Sequence, residues 1–405
     1  MAYLAIVGSH KVNGVAKLHS ELMKTTIFRD FAQIFPDRFI NITNGVTPRR
    51  WLNHSNPALS NLITHAIGPT WVDDLSRLKE LTPLADDKTF LKEFLEVKHG
   101  NKARLAEMVK RRHGVELDPD AMFDTQIKRI HEYKRQLLNV FHIITRYNRL
   151  RANPNLDCPK RCVILGGKAA PGYRVAKLII KLINDVADTI NHDPVVADKL
   201  KVWFAPNYNV SRAMELIPAV DLSEQISMAG TEASGTGNMK MTINGALTIG
   251  TLDGANIEIR EEVGEDNIFI FGKTAAEIQE LFQRGYNPWD YYYANAELQQ
   301  VLDMIGNGYF SMDEPLRFRP LFDELLHNGD RYALLADYQS YIQVQEEVDK
   351  LYQSPEEWAR KAVLNVARSG YFSSDRTIGE YASQIWNVLP VLPTDDVRLP
   401  ERWTD

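Results

Sequence analysis

The chain has 405 residues, 44% hydrophobic and 25% charged, which is the composition of an ordinary globular protein. Its length allows two or three domains or one large α/β unit. The formal net charge of -6 excludes a general nucleic-acid or anionic-membrane binder, because phosphate backbones and anionic lipids attract basic surfaces, so any polyanion site must be local.

The opening "MAYLAIVGSH" has a short apolar stretch without a basic flank, and reads as a buried strand, Tyr3 to Val7, rather than a signal peptide. No apolar run approaches the roughly 20 residues needed to cross a bilayer. Residues 75 to 120 read as helical and charged. From about residue 120 strand-like and helix-like runs alternate, the pattern of a parallel sheet covered by helices. "MFDTQIKRI" precedes "KRQLLNVFHIITRYNRLR", whose Leu137, Leu138, Phe141, Ile144 and Leu150 fall at helical spacing. "RCVILGG" leads into "YRVAKLIIKLINDVADTI", and "KVWFAP", "LTIGTLDG" and "NIFIFG" follow as further strands. Thr274 and Glu277 form a capping box that predicts a helix over 275–284 ending at Gly285. Residues 286 to 368 read as mainly helical. Ser374 or Asp375 is the expected N-cap of a final amphipathic helix, about 375–388, bearing Ile378, Tyr381 and Ile385. The proline-rich end, 391–405, is expected to be extended.

Two cysteines, Cys158 and Cys162, cannot build a disulfide framework. A C-x3-C without nearby histidine is a poor zinc site, so no metal is expected, and reduced thiols point to a cytoplasmic protein.

Three glycine turns could hold phosphate at a helix start: "GSHKVNG", "GGKAAPG" and "GTEASGTGN". None matches a P-loop or a dinucleotide fingerprint. For the first two, tight turns of an α/β fold are at least as good a reading as a ligand role; the density of small residues in the third favours a ligand. In "KRIHEYKRQ" the cations Lys128, Arg129, Lys134 and Arg135 surround His131 and Tyr133. A charge run is usually a solvated helix face, but this one sits where a strand passes into its helix, the edge at which doubly wound sheets bind ligands. A small anion such as phosphate fits there. Lys240 follows the third turn on an otherwise apolar segment. A lysine so placed either snorkels to solvent or is desolvated, and a desolvated amine suits Schiff-base chemistry. With a phosphate cradle just before it, the economical reading is pyridoxal 5'-phosphate.

"GTEASGTGNMK", "KRIHEYKRQLLN", "TNGVTPRRW", "GGKAAPGY", "LSEQIS", "NGALTIGTLDGAN" and "FSSDRTIGEYA" together resemble the α-glucan (glycogen, starch or maltodextrin) phosphorylases, in order from about residue 1 to 390. The resemblance implies the Rossmann-like doubly wound parallel sheet of the C-terminal domain of a GT-B type glycosyltransferase, with additional helices. It implies phosphorolysis of an α-1,4-glucan by inorganic phosphate to α-glucose 1-phosphate, with the phosphate of pyridoxal phosphate serving in the chemistry. Lys240 then matches the Schiff-base lysine, and Lys128 with the backbone of Thr236 and Gly237 the cradle of the cofactor phosphate. Arg129 and Lys134 match the groups that hold substrate phosphate. Trp51, Tyr208 and Gln225 match residues around the pyridoxal ring. Asn44, Tyr133, Glu232, Ser234 and Gly235 match those that hydrogen-bond the glucosyl hydroxyls, and Val15 an apolar contact near the sugar.

Family members are considerably longer and typically homodimeric. Residues 1–45 are therefore expected to be the last strand-helix unit of an N-terminal catalytic domain whose remainder is an intramolecular partner. Residues 46–390 are expected to be the cofactor domain, and the chain alone to lack a complete cleft. Competing readings are a nucleotide-sugar glycosyltransferase of the same plan, which has no use for a Schiff-base lysine, and a non-catalytic cofactor-binding or regulatory domain. An aminotransferase-like pyridoxal enzyme would need an arginine pattern for substrate carboxylate, which is not seen.

Overall fold

The computed structural model of the protein describes residues 1–390, so the tail expected over 391–405 lies outside the described residues. Two parallel sheets organise it. The smaller pairs β1 (Val12–Gly14) with β2 (Phe39–Asn41), joined by the helices Lys17–Thr25 and Arg29–Ile34. The larger contains β3 (Met122–Ile127), β4 (Arg161–Gly166), β5 (Leu200–Ala205), β6 (Leu222–Gln225), β7 (Leu247–Gly250) and β8 (Phe269–Ile270), in the spatial order β5-β4-β3-β6-β7-β8.

Every pairing in the larger sheet is parallel. Parallel strands need crossover segments, and their helices cover both faces, which is why all residues of β3, β4, β6 and β7 are buried. The chain builds outward from β3 to β5, then returns to β3's other side with β6. This is the doubly wound order, and its reversal between β3 and β6 opens a crevice at the carboxyl ends of those strands.

The helix Gln136–Ala152 follows β3 as expected, with Leu137, Leu138, Phe141, Ile144 and Leu150 all buried. The helix Ala275–Gln283 carries the expected capping box, Thr274 Oγ1 accepting from Glu277 N and the Glu277 carboxylate accepting from Thr274 N. Before β3 lie a 3-10 segment, Leu75–Asp86, and the long helix Lys88–His113.

Two expectations at the chain ends are corrected. Tyr3 to Val7 is part of a helix, Ala2–Gly8, and not a buried strand; Tyr3, Leu4 and Val7 are exposed and only Ile6 is buried. A short apolar run does not distinguish strand from helix, and among the described residues no strand pairs with these. The final helix begins one residue earlier than expected, with Ser373 as N-cap to Ser374–Tyr381, and widens into a π turn over Ala382–Trp386. Its Ile378 is exposed, and the fully packed position is Thr377, whose hydroxyl donates to Thr43 O at 3.0 Å. This helix holds the small sheet: Asn13 Nδ2 donates to Tyr381 Oη at 2.8 Å and Arg376 to Thr43 O at 2.8 Å.

"GGKAAPG" turns out to serve close approach. A Cβ on Gly167 would lie 1.9 Å from Lys128 O, so β4's exit must be glycine for the β3 loop to pack over it. Gly167→Ala is expected to cost on the order of 3 kcal/mol, because backbone rather than a flexible side chain must move. Urea denaturation would show it as a lower midpoint at unchanged slope.

Candidate active site

The β3 and β6 exits face each other across the crevice and are tied by backbone: Met228 N donates to Tyr133 O at 3.1 Å. Arg135 clamps them. It is fully buried in the left-handed region, φ 56°, and its guanidinium donates to Ile226 O at 2.7 Å, Ser227 O at 3.2 Å and Asp337 Oδ2 at 2.7 Å. A non-glycine residue is strained there, and the buried ion pair with two carbonyls holds it.

After β6 the glycine-rich loop is gathered onto one buried carboxylate, Asp253. It accepts from Ser227 Oγ at 2.7 Å, Gly230 N at 2.9 Å, Glu232 N at 2.8 Å and Gly254 N at 3.0 Å, and pairs with His19 Nε2 at 3.0 Å. Gly254 lies against the same loop, φ 52°, where a Cβ would stand 2.6 Å from Ser234 O. The loop then enters the short helix Gly237–Thr242 with Thr236 as N-cap, which places Lys240 one turn in, as expected.

Lys240 is half-buried. Its ammonium sits 4.1 Å from the ring centroid of Trp51, and burial alone lowers its pKa. Asn244 fixes that pair: its Nδ2 donates to Trp51 O at 2.6 Å and to Lys240 O at 2.9 Å, while its Oδ1 accepts from Asn56 Nδ2 at 3.0 Å. Asn244 O in turn accepts from Lys98 at 3.0 Å. Buried Lys98, pushed down to about 8 chiefly by desolvation, also donates to Val220 O at 2.6 Å. The tertiary structure thus joins the lysine's helix, the Trp51 turn and the long helix Lys88–His113.

Lys128 donates to Glu224 O at 2.9 Å and Gln225 Oε1 at 2.8 Å, which occupies two of its three N–H groups. Burial, then the Lys134 charge, pushes its ammonium down to about 8. The third N–H has no acceptor among the described residues.

Beneath Lys128, Asp124 of β3 and Glu224 of β6 lie fully buried on one face of the sheet. Glu224 accepts from Tyr341 Oη at 2.9 Å and Gln345 Nε2 at 2.7 Å; Asp124 pairs with Arg161 at 2.9 Å. Burial, then the Asp124 charge, holds Glu224 well above the usual carboxylate range, which favours its protonated form. A carboxyl with a raised folded pKa stabilises fully below its unfolded value, and the contribution is lost as pH rises through the folded value. The Glu224 contribution to stability is therefore expected to decline as pH rises above about 4.5, the unfolded value. Glu224→Gln, which keeps the side chain's shape and one acceptor oxygen but removes the titrating proton, should flatten that decline; urea midpoints measured across pH would show it.

Glu232 accepts from Tyr133 Oη at 3.3 Å and forms an ion pair with Lys134. Burial alone would lower the Lys134 ammonium, but Glu232 and Tyr133 outweigh it and the net direction is upward. Ser234 is buried and donates to Gly235 O at 2.9 Å. Asn44 and Val15 meet at the end of the small sheet, Asn44 N donating to Val15 O at 3.1 Å. That sheet reaches the crevice side through Glu258, whose Oε1 accepts from Lys17 N at 2.8 Å and Thr43 Oγ1 at 3.0 Å. Glu258 shares a helix with Asn256, which donates to Gln225 O at 3.1 Å and accepts from Asn238 at 3.0 Å.

Two expected residues are not hydrogen-bonded into this cluster. Arg129 is exposed, and its side chain makes no hydrogen bond among the described residues. Tyr208 packs on the core beyond β5, and burial pushes its phenol up to about 12.

Sequence reasoning gave no role to Asp253, Asn244 or Lys98, and saw Arg135 only as part of a charge cluster. Asp253 left a trace, an Asp-Gly step directly after a strand in "TLDGAN". Lys98 left none, because a lysine in a charged helix looks like surface.

The chain matches the family model described as carbohydrate phosphorylase over residues 1–388. It is 56% identical over 392 residues to a glycogen phosphorylase of Synechocystis, covering 97% of this chain and 46% of that protein. It is 52% identical over 403 residues to the muscle form from Oryctolagus cuniculus, covering 99% and 48%. To the brain form from Homo sapiens it is 51% identical over 400 residues, covering 99% and 47%. The chain spans about half the length of these curated relatives. With a doubly wound parallel sheet, a lysine one turn into the helix that follows the glycine loop and this extent of identity, the chain belongs to the carbohydrate phosphorylase family.

Proposed function

We propose that this chain forms the cofactor half of an α-1,4-glucan phosphorylase, which transfers a terminal glucosyl unit to inorganic phosphate and yields α-glucose 1-phosphate. The observation that carries the reading is Lys240: a desolvated amine stacked on Trp51, one turn into the helix that follows the glycine loop. A nucleotide-sugar transferase has no use for such an amine.

The residues present fit pyridoxal 5'-phosphate. A Cβ on Gly237 would meet nothing within 4 Å, so there is open space at the helix start where a phosphate would sit. Lys240 would hold the cofactor through its aldehyde, Lys128 with the backbone of Thr236 and Gly237 would hold its phosphate, and Trp51, Gln225 and Tyr208 would border its ring. When bound, the cofactor supplies a phosphate group beside the substrate phosphate. Lys134 and exposed Arg129 hold the substrate phosphate and offset the repulsion between two adjacent anions. Tyr133, Glu232, Ser234, Gly235 and Asn44 orient the sugar hydroxyls, with Val15 against its apolar face. With the glucosyl carbon and the substrate phosphate held within reach on one face, the phosphate gives its proton to the departing glycosidic oxygen, which leaves as the glucan's hydroxyl, and a phosphate oxygen then bonds the glucosyl carbon from that same face, so no pair of protein carboxylates is required.

In the same reading residues 1–45, whose small sheet is separate from the large one, belong with a second Rossmann-like domain facing residues 46–390 across a cleft. Assembly as a homodimer and a cytoplasmic location complete the proposal; among the described residues no helix is long and apolar enough to cross a membrane.

The test is incubation with pyridoxal 5'-phosphate, borohydride reduction and peptide mapping, followed by assay of glucose 1-phosphate release after joining the chain to the N-terminal half of the Synechocystis relative. A pyridoxyl group on Lys240 and phosphate-dependent release are expected. Modification spread over surface lysines with none on Lys240 would overturn the reading.

A further inference from the structure

The proposed grip on the sugar has two sides. Asn44 and Val15 stand at the end of the small sheet, and Glu232, Ser234 and Gly235 stand on the glycine loop beside the large one. The two sheets are separate, so no strand pairing fixes the distance between these sides. That distance depends on the side chains that cross from one unit to the other.

The helix Lys17–Thr25 begins two residues after Val15 and is packed tightly on its own sheet, since a Cβ on Gly14 would lie 2.0 Å from Ser20 Oγ. Its first turn is held by the other unit, Lys17 N donating to the buried Glu258 Oε1 at 2.8 Å. One face of the helix then meets the glycine loop. His19 Nε2 lies 3.0 Å from Asp253 Oδ1. Leu22, three residues on and therefore on the same face, has its Cδ1 3.8 Å from where a Cβ on Gly230 would stand.

Asp253 Oδ1 also accepts from Gly230 N and Gly254 N, and Oδ2 from Ser227 Oγ and Glu232 N. A carboxylate that accepts from all of these accepts from His19 as well, so Nε2 carries the hydrogen. Among the described residues, His19 is the one partner of Asp253 from outside residues 227–254. The loop can gather on Asp253 without His19, but its place relative to Val15 and Asn44 then loses its polar tie.

We propose that His19 is a positioning residue which, through Asp253, sets the spacing between the two sides of the sugar grip. Asp253 Oδ2 holds the backbone of Glu232, and the Glu232 carboxylate is held in turn by Tyr133 Oη at 3.3 Å and by the Lys134 ammonium. A shift of Asp253 therefore moves a sugar-holding residue and, through Lys134, the phosphate side of the site. This role in the reaction rests on the phosphorolysis proposed above; the tie between helix and loop does not.

The experiment compares wild type with His19→Ala and His19→Gln, whose amide offers an N–H donor at similar reach. In the chain by itself, hydrogen exchange at the Gly230 and Glu232 amides is expected to be about tenfold faster in His19→Ala, from loss of a hydrogen bond to a charged group, and near the wild-type rate in His19→Gln. In the joined enzyme all three should carry the pyridoxyl group on Lys240 to the same extent. The kcat/KM for glucan, per pyridoxyl group, should fall about tenfold in His19→Ala and recover in His19→Gln. A contact that only stabilised the fold would reduce the amount of active enzyme and leave that ratio unchanged. Unchanged exchange or unchanged kcat/KM in His19→Ala would overturn the proposal, as would a His19→Gln variant impaired as much as His19→Ala. A wild-type joined enzyme with no pyridoxyl group on Lys240 and no glucose 1-phosphate release would instead overturn the phosphorolysis reading, and with it the role of His19 in the reaction.

Discussion

Lys240→Ala is expected to abolish retention of the pyridoxal chromophore: the wild-type protein mixed with pyridoxal 5'-phosphate should keep its near-ultraviolet band through gel filtration, and the variant should not. The physical reason is the loss of the only covalent tether in the proposed site, with the phosphate still drawn to Lys128 and the helix start. In the joined enzyme, phosphorolysis should fall on the order of 100-fold or more, since misplacing a reacting group by about 1 Å already costs that much. Trp51→Ala gives a graded control. It keeps the amine but removes the ring 4.1 Å away that helps to desolvate it, so the Lys240 ammonium should titrate higher. Attachment at neutral pH should then slow, because a smaller fraction of the amine is unprotonated. A variant at Lys240 that still retained a borohydride-reducible chromophore on this loop would refute the assignment.

Asp253→Ala is expected to be the most damaging single change outside the hydrophobic core. The side chain is buried, 1% exposed, and gathers Ser227, Gly230, Glu232 and Gly254 on its two oxygens while pairing with His19. Hydrogen bonds to a charged group contribute about 1.5–3 kcal/mol each but do not add independently, and removing one partner of a buried network costs about 3–5 kcal/mol. The loss should appear as a lower urea midpoint and as faster hydrogen exchange at Gly230, Glu232 and Gly254. Asp253→Asn should be intermediate in stability, because its amide keeps one acceptor oxygen but turns N–H groups toward N–H groups. If Asp253→Ala left both the midpoint and the exchange of those amides unchanged, the glycine loop would not be held as described.

How much of this was legible beforehand differs from one element to the next. Leu137, Leu138, Phe141, Ile144 and Leu150 announced their helix because a helix with a packed face repeats at 3.6 residues, and all five are buried. The Thr274–Glu277 capping box was equally local, two side chains satisfying backbone within one turn. Tyr3 to Val7 misled because an apolar run records burial tendency and not backbone conformation, and the segment takes the local hydrogen bonds of a helix. Ile378 misled in the other direction, since the final helix is held through Thr377, Tyr381 and Arg376 rather than through an apolar stripe.

The site divides along the same line. By itself the sequence determined the inventory: a glycine-dense loop, a lysine one turn beyond it, a cationic run at a strand exit, and the alternation that makes a parallel sheet. These are properties of neighbours in the chain, and local sterics and periodicity express them directly. Only the tertiary structure decided what holds them in place. Asp253 is 21 to 26 residues from the loop atoms it binds at Glu232 and Ser227, and Asn244 is 193 residues from the Trp51 carbonyl it ties to Lys240. Lys98 reaches carbonyls 122 and 146 residues away. Each of these buried polar groups is tolerable only because partners distant in the chain converge on it, and that convergence is set by the order of strands across the sheet.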